Sequence, residues 1–210
     1  MRKIFSIILV VCIILCSCGF NISYGEPSPI AVPNSSFENT SGASKTGDLV
    51  GADDWVAGGF WYGRFYWPEG VPDGDYGVWA SYTDNNAQNN PDNGFSQELS
   101  SMYSAGKYIL SIKSLGDNTS GLTSRLTLGY DSGNNTYVEL KSSDVTISYN
   151  AGDDLAAKWV TQTVELEVKQ SSNAVGKPIW IKVSSVTNAS GTGGNSCLWD
   201  DVKLSWAYTL

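Results

Sequence analysis

The chain has no histidine, and three of its four cysteines (Cys12, Cys16, Cys18) lie at the very start, leaving Cys197 alone in the rest. Without histidine no Ser-His-Asp or Cys-His nucleophile can be assembled, nor any histidine-bearing zinc site. A single cysteine makes neither an internal disulfide nor a cysteine-rich metal cluster. Positive charge is scarce too, with 13 Lys and Arg against 21 Asp and Glu. Such an acidic body repels phosphate backbones and anionic lipid, which argues against nucleic acid or a membrane surface as partner and favours calcium or neutral polymers. Helical periodicity is absent over any useful length, and no P-loop or G-x-G-x-x-G follows a strand-like run.

One long apolar run is present. Met1-Arg2-Lys3 leads into IFSIILVVCIILC, Ile4 to Cys16, and then into small and polar residues. A charged start, a hydrophobic middle and a small-residue exit read as an export signal, too short and poorly flanked for a membrane span. Two exits are open. Leu15-Cys16-Ser17-Cys18 resembles a lipobox, which makes Cys18 the lipidated first residue of an envelope-anchored protein. Ser23-Tyr24-Gly25 instead fits cleavage before Glu26 and release as a secreted protein. The expected organisation is therefore a signal over residues 1–25, or one ending before Cys18, and a single domain over 26–210. Removal of 1–25 leaves 11 basic and 21 acidic residues, a net charge near −10.

After Asp75 the sequence alternates with period two, segment after segment. Tyr76, Val78 and Ala80 share a face, as do Tyr108, Leu110 and Ile112, then Leu122, Leu126 and Leu128, then Val160, Val164 and Val168, then Ile179, Ile181 and Val183, and last Leu198, Val202 and Leu204. This is strand spacing, and clusters such as TDNNAQNNPDNG, GDNTSG and NASGTGGN supply the turns. The spacing predicts an all-β fold, an antiparallel β-sandwich of jelly-roll type.

The stretch GGFWYGRFYWPEG, Gly58 to Gly70, holds six aromatic residues around Arg64. Exposed Trp and Tyr faces stack on flat rings, and a guanidinium supplies planar donors to a polar rim. Phe60 and Phe65, with no polar handle, are the first candidates for packing. Parity also places Trp79, Trp159, Trp180 and Trp199 on faces opposite the aliphatic residues. The candidate ligand-binding set is Trp61, Tyr62, Arg64, Tyr66, Trp67, Trp79 and Trp180, a platform if Trp79 and Trp180 share a sheet.

VPNSSFEN (Val32 to Asn39), GFSQELSSMYSAGKYILSIKS (Gly94 to Ser114) and GGNSCLWDDVKLSW (Gly193 to Trp206) together resemble the galactose-binding-like β-jelly rolls that include bacterial cellulose- and xylan-binding modules. The resemblance implies a non-catalytic carbohydrate-binding domain whose partner is a neutral polysaccharide or glycan. A cell-surface adhesion sandwich is the alternative, and a polysaccharide lyase a distant one. The resemblance also implies a structural calcium at Glu38 and Asp200, aided by backbone carbonyls. Asp200 independently asks for a partner: it shares the parity of Leu198, Val202 and Leu204, and an inward carboxylate must be paired, hydrogen-bonded or metal-bound. Calcium, a hard cation with several oxygen ligands, suits such a pair.

Overall fold

The computed structural model describes residues 23–41, 46–48, 51–58, 62–81, 93–116, 122–134, 136–147, 154–187 and 196–209. Twelve strands follow in order: β1 (Ser28–Ile30), β2 (Gly47–Asp48), β3 (Val56–Gly58), β4 (Tyr62–Tyr66), β5 (Tyr76–Ser81), β6 (Gly94–Met102), β7 (Gly106–Gly116), β8 (Leu122–Asp131), β9 (Tyr137–Ile147), β10 (Val160–Val168), β11 (Pro178–Thr187) and β12 (Ser196–Ala207). No α-helix occurs among the described residues; a 3-10 turn, Leu155–Lys158, precedes β10. The strands form two antiparallel sheets, one ordered β10-β7-β12-β5-β4-β2 with β1 on β12, the other β3-β6-β11-β8-β9. This is the expected antiparallel β-sandwich with jelly-roll character.

The alternating residues do what their period requires. Val78, Ala80, Leu110 and Ile112 of the first sheet meet Leu122, Leu126, Leu128, Ile179, Ile181 and Val183 of the second in one core. Edge effects modify the pattern only where cover runs out: Val160, at the start of an outer strand, is 39 % exposed. At the chain start Tyr24 bridges Thr209, and the Gly25 amide donates to the Tyr208 carbonyl at 2.9 Å, so both ends of the described chain lie side by side.

The last strand departs from simple alternation. Trp199 pairs with Ser114 and Asp200 with Lys113, yet the next pair is Lys203 with Ser111. One extra residue is thus accommodated on β12, with Asp201 at φ 53°, which is a β-bulge. The extra residue exchanges the two faces. Before it, Cys197 and Trp199 point into the core and Leu198 points out; after it, Val202 and Leu204 point in. The expectation that Trp199 faces outward and Leu198 inward is therefore corrected, and so is the inward direction of Asp200. Its opposite residue Lys113 lies on the outer face, where it donates to Thr161 at 2.7 Å, and opposed residues share a face.

Trp199 brings a polar atom into the core, and a small network receives it. Its indole N–H donates to Ser124 Oγ at 2.8 Å, Ser124 Oγ donates to Gln162 Oε1 at 2.8 Å, and Gln162 Nε2 donates to the Ser124 carbonyl at 2.9 Å. Ser114 Oγ adds a bond to the same Gln162 oxygen at 3.2 Å. Ser124→Ala leaves the indole N–H without its acceptor inside the sandwich, and the expected loss is about 1–3 kcal/mol in chemical denaturation. An unchanged midpoint would show that the network does not hold the sheets in register.

Candidate functional site

The outer face of the first sheet carries the site, and the β4–β5 hairpin shapes it. Arg64 is 1 % exposed. Its Nε donates to the Phe37 carbonyl at 2.7 Å, another guanidinium N–H donates to the Glu38 carbonyl, and the cation lies 3.7 Å from the centre of the Tyr76 ring. Phe37, at φ 56°, is itself buried against Trp55, with ring centres 4.9 Å apart. The expected role of Arg64 as a surface donor to a ligand is thereby corrected: its guanidinium is spent fastening the 34–38 segment to the hairpin.

Glu38, so positioned, reaches the connection between β4 and β5. One of its carboxylate oxygens accepts both the Asp75 and the Tyr76 amide at 2.9 Å. Gly74 makes the turn possible, since φ there is 76° and a Cβ would stand 2.3 Å from that oxygen. The same turn is held from beneath by Asp200, whose Oδ2 accepts the Asp73 amide at 2.7 Å. Asp200 is fully buried, and its Oδ1 has no hydrogen-bond partner. Burial pushes its carboxyl up from the ordinary 3.8 to about 7, against the opposing pull of the Asp73 and Asp201 amides. Beyond the bulge Asp201 pairs with Lys203 at 2.7 Å.

Beside this turn Phe65, Trp67, Trp79, Ser196 and Leu198 line a cavity of about 270 Å³. Trp79 and Leu198 are directly opposed on β5 and β12, and Phe65 is opposed to Gly77, two residues before Trp79 on the same face. Asp200 follows Leu198 by two residues on β12, so period two puts the carboxyl on the face that bears the aromatic wall.

Of the ligand-binding residues expected from sequence, the structure brings Trp67 and Trp79 together here. Tyr66 is 55 % exposed and packs on Tyr76, ring centres 5.0 Å apart. Tyr62 turns inward to an edge-on contact with Phe95 and serves packing. Trp180 stands on β11 in the other sheet, against Tyr137, in a separate cleft of about 330 Å³ with Val56 and Lys182. Trp79 and Trp180 therefore form no common platform. Trp61 and Cys18 lie outside the described residues. Phe65, Ser196 and Leu198 were not anticipated as site residues. Phe65 shares a face with Trp67 by simple alternation, a signal outweighed by its lack of a polar handle, whereas the bulge hides Leu198 from any parity argument.

Glu38 and Asp200 meet on one short turn, as a calcium pair would require, and the unbonded Oδ1 of Asp200 is an oxygen that a cation could use. Among the described residues no three or more acidic, cysteine or histidine side chains gather as a metal-binding group. Calcium takes 6–8 oxygens, so carbonyls and water would have to complete the set. Cys197 is buried beside Ser185, and burial pushes its thiol up to about 12, which makes it inert as a nucleophile.

Comparison with known proteins changes the reading of this site. No curated protein matches the chain. A cyclase from Fischerella sp. TAU, solved with 4-(1H-indol-3-yl)butan-2-one, superposes with a TM-score of 0.63 at 14% identity over 87% of this chain and 98% of that one. The Stig cyclase Fisc from the same source, solved with (3Z)-3-(1-methyl-2-pyrrolidinylidene)-3H-indole, gives 0.63 at 14% over 88% and 99%. A tandem CBM22 domain from Paenibacillus barcinonensis gives 0.51 at 16% over 83% and 45%, so the likeness to carbohydrate-binding modules holds at the level of the jelly-roll fold. The family model described as HpiC1-like, HpiC1 cyclase, matches residues 28–205. That match overturns the expectation of a non-catalytic carbohydrate-binding module: the chain belongs to the HpiC1-like cyclase family.

Proposed function

We propose that this protein cyclises a small, flat, unsaturated molecule, with Asp200 as the proton donor and the Phe65, Trp67 and Trp79 wall as the ring-binding surface. The observation that carries this reading is the buried carboxyl with an unbonded Oδ1 on the same sheet face as an aromatic-lined cavity. A carboxylic acid that keeps its proton near neutral pH can give it up to a substrate π bond. The carbocation so formed is attacked by a second π bond of the same molecule, closing a carbon–carbon bond. Loss of a proton from the new ring then yields an isomer of the substrate, with Asp200 reprotonated and no oxidant or reductant consumed. Indole and phenyl faces stabilise the passing cation and stack on a flat ring at little cost in rotamer entropy. The indole compounds held by the two related cyclases support an aromatic substrate.

A second reading rests on the same oxygen. A calcium ion held by Asp200 and Glu38 would satisfy Oδ1 and fasten the 34–38 segment to the last strand, a structural role with no part in proton transfer. We also propose that the chain is exported through its leader. The pairing of Tyr24 and Gly25 with residues 208–209 favours the exit ahead of Cys18, because a cut before Glu26 deletes that pairing.

Two measurements test the catalytic reading. With an indole bearing an unsaturated side chain as substrate, Asp200→Asn should lower kcat by at least about 100-fold, while Trp79→Ala should raise KM several-fold with a smaller effect on kcat. An Asp200→Asn enzyme that still forms the cyclised isomer at the parent rate overturns the acid assignment. The second measurement is the melting temperature against pH. Asp200 holds its proton more tightly folded than unfolded, so its contribution to stability is complete below about pH 4 and is lost as pH rises through about 7. Asp200→Asn should flatten the profile over that window. If calcium occupies the site instead, chelation should lower the melting temperature of the parent and leave Asp200→Asn unchanged.

A further inference from the structure

The wall of the cavity depends on a residue with no side chain. Gly70 lies in the turn after Trp67, and its amide donates to the Trp67 carbonyl at 3.0 Å, which closes the turn. The Trp67 ring then folds back flat onto the glycine. A Cβ placed on Gly70 would stand 1.7 Å from Trp67 Cε2 and 2.0 Å from Cδ2, so the ring occupies the volume that any side chain would need. The constraint is one of space, not of backbone dihedral, since Gly70 is not among the residues of positive φ.

The other side of Gly70 is held from three strands away in sheet order. Trp159, just ahead of β10, donates its indole N–H to the Gly70 carbonyl at 2.7 Å. In sheet order β10 is separated from β5 by β7 and β12, so this bond joins the turn to a part of the sheet not paired with β4 or β5. Both tryptophans are half-buried. Trp67 is thus located by a contact chain from β10 through Gly70, in addition to its own amide bond to the Asp75 carbonyl at 2.8 Å.

We propose that Gly70 and Trp159 are specificity-determining residues of this pocket, because they fix where the Trp67 ring stands in the wall it shares with Phe65 and Trp79 and so which flat rings the cavity admits. The proposal rests on the reading of the Phe65, Trp67, Trp79 cavity as the substrate site and deepens it. Trp159 and Gly70 act through Trp67 and are positioning residues. Gly70→Ala displaces the Trp67 ring and so reshapes the cavity wall. Phenylalanine at position 159 keeps the apolar body of the side chain and removes only its N–H.

Indole and phenol serve as probes of two ring sizes, titrated calorimetrically into the folded chain. Trp159→Phe should weaken indole binding about fivefold, the worth of one hydrogen bond. Gly70→Ala should weaken indole by at least about tenfold while changing phenol less, so that the ratio of the two affinities moves. A turn that merely supports folding would weaken both probes together or neither. Trp79→Ala separates this proposal from the reading beneath it. If Trp79→Ala weakens indole and the two positioning variants do not, the positioning chain is overturned and the pocket stands. If indole binding survives Trp79→Ala but is lost in Trp180→Ala, the ligand sits in the opposite cleft and both fall. Gly70→Ala and Trp159→Phe alter the turn in unrelated ways, so failure of one to fold leaves the other to decide.

Discussion

The extra residue at Asp200–Asp201 is the constraint on which the site depends. A strand of strict period two would send Trp199 outward and Leu198 inward, with Asp200 beneath the core. The bulge instead lets one strand serve two partners, β5 along its first part and β1 along its last, and exchange its faces between them. Trp199 then anchors the interior network, while Leu198 lines the outer cavity and Asp200 lies buried under the β4–β5 connection. Positive φ at Asp201 is the local cost of this exchange, and the ion pair with Lys203 holds the residue in place.

Over that outer face the connection between β4 and β5 is secured by groups far apart in sequence. Arg64 places the backbone of Phe37 and Glu38, Glu38 takes two amides of the turn, Asp200 takes a third, and Trp159 takes the Gly70 carbonyl. Each bond is modest alone. Asp200, beneath this connection, is fully buried, and that burial raises its carboxyl toward neutrality. The proton-donor role proposed for Asp200 thus rests on packing around an ordinary aspartate. The chain belongs to a family of enzymes although it has no histidine, so the absence of familiar nucleophile arrangements was a poor guide to the absence of catalysis.

Much of the architecture was legible. The aliphatic alternation marks β5, β7, β8, β10 and β11 and their buried faces, because side-chain period follows directly from strand geometry. The aromatic stretch around Arg64 was legible as important, and Asp200 as a carboxyl in need of explanation. What could not be read was the sorting of the aromatics. Tyr62, Arg64, Tyr66 and Trp67 are near neighbours in sequence, yet one packs inward, one clamps backbone, one is exposed and one walls a cavity. Trp79 and Trp180 have the same outward parity and stand on opposite sheets.

Sequence alone determined the fold class, since period two and turn composition are local properties that each segment carries by itself. The likeness to carbohydrate-binding jelly rolls followed from such local features and reached no further than the fold they encode. The tertiary structure alone decided which carboxyl is buried, which tryptophans line one cavity, and where one extra residue turns a strand over. These depend on register between strands distant in the chain, and a shift of one residue in that register changes the face of every side chain beyond it.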